Sequence, residues 1–113
     1  MERAVAIHPV ENRRELEESL APGVVVLYKH SPTCWVAARA LEQVERFAQK
    51  SPGIPIYMVD VIGQRPLSDW VAEHFGIAHE SPQAIVLRDG EPVWHASHFS
   101  VTARALRKAA EAA

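Results

Sequence analysis

The sequence has few of the features that build covalently cross-linked or membrane-embedded proteins. It contains one cysteine among 113 residues, which excludes an internal disulfide. Although 48% of its residues are hydrophobic, no stretch approaches the ~18 consecutive apolar residues of a membrane span. The apolar stretch at residues 4–7 ends at His8 and Pro9, before it could form the core of a signal peptide. These absences predict a cytoplasmic protein with no membrane partner, in a compartment that keeps thiols reduced.

An excess of charge of one sign is also lacking. Lys and Arg number 12 and Asp and Glu number 14, for a net charge of −2. The basic residues are scattered through predicted helices, which gives no indication of a nucleic-acid surface. The chain has no internal repeat, low-complexity tract or linker, and its length suits a core that needs no disulfide or metal. We therefore predict a single domain over residues 1–113.

The first part of the chain predicts a short helix and then a strand. Asn12 begins a capping box with Glu15, and the Pro-Gly pair at residues 22–23 ends the helical pattern. Residues 24–28 form a continuous β-prone apolar run. Such a run is typical of a strand buried on both faces, so this strand should lie centrally in its sheet.

The middle of the chain alternates in the same way. Apolar residues recur at helical spacing from near Trp35 until the breakers at residues 51–53. A second strand is predicted over residues 54–62. A third helix follows, with Pro66 in its first turn and Gly76 placed to cap its end.

The last part of the chain predicts a hairpin and a terminal helix. Residues 84–88 and 91–96 flank Asp89-Gly90, a strong signal for a two-residue turn between antiparallel strands. An Ala-rich helical run begins at Ser100 or Thr102. The complete order predicts an α/β protein with a central mixed sheet of about four strands, flanked by helices on both faces. The thioredoxin fold has this order of elements.

Cys34 lies at the junction between the first predicted strand and the helix that follows it. A helix N-terminus offers unpaired N–H groups and the positive end of the helix dipole, and both favour a thiolate. The alternative is a buried, inert thiol, since free cysteine is among the most buried residue types. Pro82 directly precedes the third strand, where the thioredoxin fold places a cis-proline facing the active cysteine. We therefore predict a cis bond between Ser81 and Pro82.

Three segments occur in a fixed order along the chain: residues 29–34 (KHSPTC), 79–83 (HESPQ) and 89–98 (DGEPVWHASH). Together they closely resemble the monothiol bacilliredoxins, small thioredoxin-like proteins of the bacillithiol system. The resemblance implies an enzyme that removes bacillithiol, a low-molecular-weight thiol, from mixed disulfides on other proteins. The chain departs from the family at Trp35, where members usually have proline. We expect the indole to affect partner choice or access to the thiol.

The residues present suit a reaction cycle that uses one thiol. Dithiol thioredoxins have Cys-x-x-Cys, in which the second thiol resolves the mixed disulfide made by the first. Residues 34–37 are Cys-Trp-Val-Ala, and Ala37 cannot perform that step. Each cycle should stop at a mixed disulfide between Cys34 and the small thiol, until a second thiol molecule or a reductase releases it. Because thiol–disulfide exchange needs no metal or nicotinamide, no tightly bound cofactor is predicted.

Several neighbouring residues are candidates for supporting roles. His30 is either a protonated imidazole that supports the thiolate or a solvated loop residue. Thr33 is predicted to be the helix N-cap, its hydroxyl accepting a hydrogen bond from a backbone N–H. Ser81, Pro82 and Gln83 are predicted to grip the incoming thiol through strand-like hydrogen bonds.

Other readings stay open at this point. The side chains of the types that bind Zn²⁺ are Cys34, His30, His95 and His98. Their spacing is not a zinc-finger pattern, and strand periodicity puts Trp94 on the face opposite His95, so no metal site is predicted. Monothiol thioredoxin-fold proteins also carry iron–sulfur clusters between two subunits, which a coloured purified protein would indicate. A Cys34 that fails to react with a thiol reagent would instead indicate a redox-inactive interaction module.

Overall fold

The secondary structure follows the predicted order, with one strand added at the start. The computed structural model describes residues 7–113, so residues 1–6 of the predicted domain, including most of the apolar stretch at 4–7, lie outside the described residues. The strands between residues 7 and 113 are β1 (Ile7–Pro9), β2 (Val24–His30), β3 (Ile56–Asp60), β4 (Gln83–Arg88) and β5 (Glu91–Ser97). The α-helices are α1 (Arg13–Ser19), α2 (Trp35–Lys50), α3 (Arg65–Phe75) and α4 (Ala103–Ala112), and a 3-10 turn at His98–Ser100 precedes α4.

The sheet is mixed, with the order β1-β3-β2-β4-β5. β1, β3 and β2 are mutually parallel neighbours, whereas β4 is antiparallel to both β2 and β5. β2 therefore lies at the centre, as the apolar run at residues 24–28 predicts. The sequence prediction missed β1, which pairs Ile7 with Ile56 at the edge of the sheet. Three residues are too few to show a period of two, and Pro9, which has no N–H, is tolerated in an edge strand.

Alternate side chains of the central strands supply two separate cores, one on each face of the sheet. The α2/α4 face includes Val26 and Tyr28 of β2 packed against Val44, Phe47 and Leu106. The α1/α3 face includes Leu27 of β2 packed with Leu16, Leu67, Val71 and Ile85. Both faces are covered by helices, as predicted. None of the helices between Ile7 and Ala113 is long and apolar enough to cross a membrane.

The predicted turns and caps position these elements. Asn12 Oδ1 accepts the Glu15 N–H at 2.9 Å, whereas the Glu15 carboxylate accepts the N–H of Glu11 rather than that of Asn12, at 2.8 Å. Gly76 ends α3 with φ 67°, in the left-handed region that glycine adopts without steric cost. Asp89-Gly90 joins β4 to β5 with positive φ at both residues, as a type I′ turn requires.

Candidate active site

Cys34 is the N-cap residue of α2, in the turn that leads out of β2. Its carbonyl accepts the Ala38 N–H at 3.1 Å and its own N–H donates to the Ser31 carbonyl at 3.3 Å, so the backbone around the sulfur is held on both sides. The side chain is half-buried, and within residues 7–113 it makes no capping hydrogen bond. The first turn of α2, Trp-Val-Ala-Ala, contains no acidic side chain. The thiol therefore lies at the positive end of a helix, with no carboxylate in the first turn to oppose a thiolate.

The prediction for Thr33 is wrong. The helix begins one residue later than expected, so Cys34 occupies the N-cap position with an extended backbone, at φ −112° and ψ 128°. Thr33 is exposed in the turn before it. Because an N-cap side chain must lie beside the first-turn N–H groups, this shift of one residue removes the hydroxyl from that role.

Tyr28 anchors the first turn of α2 to the central strand. Its side chain is fully buried, and its hydroxyl donates to the Ala37 carbonyl at 3.1 Å. The His30 Nδ1 atom lies 3.0 Å from the same hydroxyl oxygen. Since the single hydroxyl hydrogen goes to Ala37, Nδ1 carries a hydrogen and donates it to Tyr28; in the neutral ring Nε2 is then the acceptor. Burial, followed by the nearby negative charges at Cys34 and Glu45, raises the pKa of Tyr28.

The structure favours neither of the two states predicted for His30, which is the half-buried last residue of β2 rather than a solvated loop residue. Burial lowers the pKa of His30 below its usual value of 6.5, and the Asp60 carboxylate opposes that shift without overcoming it. The ring is therefore neutral at pH 7. It positions the Tyr28 hydroxyl and supplies no positive charge to the sulfur.

The loop before β4 contains the predicted cis-proline. The Ser81–Pro82 peptide bond is cis, which confirms that prediction. β2 and β4 are antiparallel neighbours with Lys29 opposite Gln83, so the last residues of β2 and the first residues of β4 lie at the same end of the sheet. The cysteine turn and the proline loop project from that end.

Ser81, Pro82 and Gln83 form a wall that runs from the end of this loop into the start of β4, with Ser81 half-buried and the other two buried. The Pro82 carbonyl accepts the His98 N–H at 2.9 Å. Gln83 is 1% exposed, and its side-chain amide donates to the Ala78 carbonyl at 3.1 Å. Gln83 Oε1 and Ser81 Oγ are both buried without a hydrogen-bond partner in the part of the chain that the structure describes. Buried polar atoms are seldom left unpaired, so these two mark the part of the site whose hydrogen bonding is incomplete.

A buried cation lies on the α1/α3 face beneath the same loop, and the sequence analysis missed it. Lys29 is 0% exposed, and its Nζ lies 3.0 Å from His79 Nδ1. Ser68 Oγ of α3 lies 3.2 Å from the same ring nitrogen. Burial lowers the pKa of Lys29 to about 8, Asp69 opposes the shift, and Arg65 adds to it. These contacts join β2, α3 and the segment that leads to Pro82.

A warning of this cluster was present in the sequence. Lys29 directly follows the apolar run at residues 24–28, in a strand that the same run predicts to be central. Lysine is almost never fully buried unless it is paired. Its partners, His79 and Ser68, are distant in sequence, and no local pattern identifies them.

Two exposed aromatic rings lie at the start of α2, one of them directly after the cysteine. Trp35, the first residue of α2, is 71% exposed, and Phe99 of the 3-10 turn is 55% exposed. Their ring centroids are 5.8 Å apart. The Arg39 guanidinium lies 5.6 Å from the Phe99 centroid, within the range of a cation–π contact. The residue that departs from the family pattern thus forms an accessible aromatic surface beside the thiol.

The histidines of β5 and the following turn have other surroundings. His95 is exposed while Trp94 and Ala96 are half-buried, which confirms the predicted strand alternation. His98 Nδ1 lies 3.3 Å from Glu80 Oε1. Between Ile7 and Ala113, no group of three or more His, Cys, Asp or Glu residues is arranged to hold a metal ion.

Comparison with known proteins agrees with this architecture. One solved structure, described as a candidate oxidoreductase with a thioredoxin fold, is 30% identical with a TM-score of 0.87, covering 92% of this chain and 93% of the other. A mutant thioredoxin from Halobacterium salinarum is 18% identical with a TM-score of 0.76, covering 99% and 95%. Thioredoxin from Trypanosoma brucei brucei is 14% identical with a TM-score of 0.77, covering 97% and 92%. The last two are similar in fold.

The fold has a cysteine at the N-terminus of α2 and a cis-proline loop at the same end of the sheet, and these features define a thiol redox protein of the thioredoxin fold. The particular family follows from the sequence itself. The model of the monothiol bacilliredoxin family, BrxC, matches residues 6–106, and the chain belongs to this family.

Proposed function

We propose that this thiol redox protein removes bacillithiol from mixed disulfides on other proteins, with Cys34 as its nucleophile. The observation that carries the proposal is the position of the chain's only cysteine, half-buried at the N-terminus of α2, in a member of the monothiol bacilliredoxin family. The thiolate is the attacking species in thiol–disulfide exchange, and this position favours it.

The first step is an exchange without net oxidation. The Cys34 thiolate attacks the bacillithiol sulfur of the protein mixed disulfide. A disulfide between Cys34 and bacillithiol forms, the original disulfide breaks, and the protein cysteine leaves as a thiolate that takes a proton from water. Ala37, in the position of a resolving thiol, is fully buried and offers no second sulfur.

The second step needs a thiol from outside the chain. Another bacillithiol molecule attacks the mixed disulfide, which regenerates the Cys34 thiolate and leaves bacillithiol disulfide as the product. A thiol–disulfide reductase can supply the same two electrons. The cycle needs no bound cofactor, and we place it in the cytoplasm, where small thiols remain reduced.

The wall beside Pro82 is proposed to hold the small thiol. Ser81 Oγ and Gln83 Oε1 are buried acceptors without a partner in residues 7–113. We expect the thiol to bind by strand-like contacts to the backbone next to Pro82, and to reach these two acceptors only when the segment opens to expose them. We propose that the exposed rings of Trp35, next to Cys34 along the chain, and of Phe99, in contact with Trp35, meet the substrate protein.

The direct test starts from a bacillithiolated protein substrate and follows both chains by intact mass. The wild type should release the substrate thiol and gain the mass of one bacillithiol, whereas Cys34→Ser should do neither. The same substrate carrying glutathione tests the identity of the small thiol. Transfer of glutathione at an equal rate would contradict the bacillithiol assignment. If the wild type removes neither bacillithiol nor glutathione from the substrate, the proposed enzymatic activity is wrong.

A further inference from the structure

A cleft lies between α2 and α4, away from the cysteine. Its volume is about 380 Å³, within the ~300–1,000 Å³ of small-molecule sites. It is lined by Arg46, Phe47, Lys50, Ala103, Arg104 and Arg107. Four of these six residues are cations and none is acidic. The cleft therefore has a single sign of charge, in a chain whose net charge is −2.

The four cations of the cleft differ from several other arginines within residues 7–113, because they form no salt bridge there. Arg13, Arg14 and Arg65 each bond a carboxylate four residues later on their own helix, at 3.5, 3.3 and 3.0 Å. Between Ile7 and Ala113, no carboxylate forms a salt bridge with any cation of the cleft. Like charges that line one cleft repel one another, so a bound anion would relieve repulsion as well as gain attraction.

The arrangement of the two helices makes the charges converge. Arg46 and Lys50 are four residues apart on α2, and Arg104 and Arg107 are three apart on α4, spacings that put each pair on one helix face. Phe47, 1% exposed, gives the cleft an apolar base. Arg104 also lies in the first turn of α4, whose dipole adds positive charge.

We propose that this cleft binds a small molecule bearing at least two anionic groups, phosphate or carboxylate, on a compact body. The concave shape and modest volume favour a small molecule over a nucleic acid strand or a membrane surface, which require extended basic surfaces. The site is separate from the thiol chemistry. Arg46 lies twelve residues after Cys34 along α2, a rise of about 18 Å.

Isothermal titration at low ionic strength tests the proposal with two probes, inorganic tripolyphosphate and citrate, which separate phosphate from carboxylate recognition. One of them should bind with one-to-one stoichiometry and weaken as salt is added. In a ¹⁵N-labelled sample the amide shifts should concentrate at residues 46–50 and 103–107. Cys34→Ser should bind as the wild type does.

A matched pair of variants locates the site. Arg107→Gln removes a cation of the cleft, whereas Lys108→Gln removes the next residue's charge, exposed but outside the cleft. Loss of one charged contact should weaken binding roughly tenfold in Arg107→Gln, with Lys108→Gln close to wild type. Equal weakening in both variants, or no binding of either probe, would overturn the proposal. Tighter binding of an acidic decapeptide than of both probes would also overturn it, and would identify a protein-docking surface instead.

Discussion

Consecutive residues of β2, Tyr28 and Lys29, project polar groups to opposite faces of the sheet near Cys34, and the two faces accommodate them differently. On the α2/α4 face a neutral hydroxyl joins Ala37 of the first helical turn to a neutral His30. On the α1/α3 face a buried ammonium contacts His79, beneath the loop that leads to Pro82. The cysteine turn is therefore fastened by uncharged hydrogen bonds, whereas the proline loop is fastened through a cation.

This difference has a physical consequence for each side of the site. The Tyr28 hydroxyl does not ionise near pH 7, because burial raises its pKa further above the usual range. The contact beneath the proline loop does titrate, since the pKa of Lys29 falls to about 8. We expect the hydrogen bonds around the first turn of α2 to be insensitive to pH in the neutral range. We expect the contacts beneath the Pro82 loop to change with pH.

The largest expected effect comes from adding a thiol on the side that Tyr28 anchors. Ala37 is three residues after Cys34 and fully buried, so an introduced cysteine should face the first sulfur. Ala37→Cys should attack the mixed disulfide from within the molecule and release bacillithiol. After treatment with oxidised bacillithiol, intact mass should show the wild type gaining one thiol and the variant losing two hydrogens.

Ala38→Cys is the matched control for that change. Ala38 is the next residue along α2 and is exposed, so a thiol there points away from Cys34 and should only gain adducts. The same adduct on the wild type and on Ala37→Cys would show that the two side chains do not meet.

The second effect is a loss of stability, and it tests the uncharged hydrogen bond on the α2/α4 face. Tyr28→Phe removes the hydroxyl that donates to the buried Ala37 carbonyl. The Ala37 carbonyl keeps its partner within α2, so the variant loses one buried hydrogen bond, worth about 0.5–1.5 kcal/mol. The free energy of unfolding in urea should fall by that amount, with an unchanged slope. Tyr57→Phe makes the same chemical change at a half-buried tyrosine of β3. An equal loss in both variants would mean that the hydrogen bond to Ala37 contributes nothing of its own.

Much of this architecture follows from local sequence patterns, and what does not follow depends on distant partners. The apolar run at residues 24–28 predicts a central strand, and Pro82 was placed correctly as a cis residue by its position before β4. The thiol-facing junction at Cys34 was also predicted. Thr33 was assigned wrongly because helix boundaries shift by one residue too easily for a cap to be placed from composition.

The charged features depend on contacts that no local window contains. The state of His30 depends on burial, and the partners of Lys29 come from α3 and the proline loop. The basic residues look scattered along the chain, yet four of them gather where α2 packs beside α4. Sequence periodicity assigns a residue to a face of an element, but tertiary packing decides which charges meet.

The third effect is a pH dependence of stability caused by the buried Lys29 on the α1/α3 face. The pKa of Lys29 is about 8 in the folded protein, against an ordinary value of 10.5. Between these values the unfolded chain binds the extra proton, so folding becomes more favourable as pH rises. The free energy of unfolding of the wild type, relative to Lys29→Met, should therefore increase from pH 7 to pH 9.5 in urea titrations. A flat difference would show that burial does not disfavour the charged ammonium. Lys108→Met controls for the loss of one surface charge.

The smallest effect expected is on the reactivity of the thiol when His30 is replaced. A protonated imidazole beside a thiolate would stabilise it, but burial lowers the pKa of His30, so the ring is neutral at pH 7. His30→Asn keeps a short side chain that can donate to the Tyr28 oxygen, and it removes a ring that carries no charge. The rate of Cys34 alkylation by iodoacetamide at pH 7 should then stay within roughly threefold of the wild type, well below the tenfold that corresponds to about 1.4 kcal/mol. A tenfold or greater fall, with the urea midpoint unchanged, would show that a charged His30 does support the thiolate, and that the two faces of the sheet differ less than their contacts indicate.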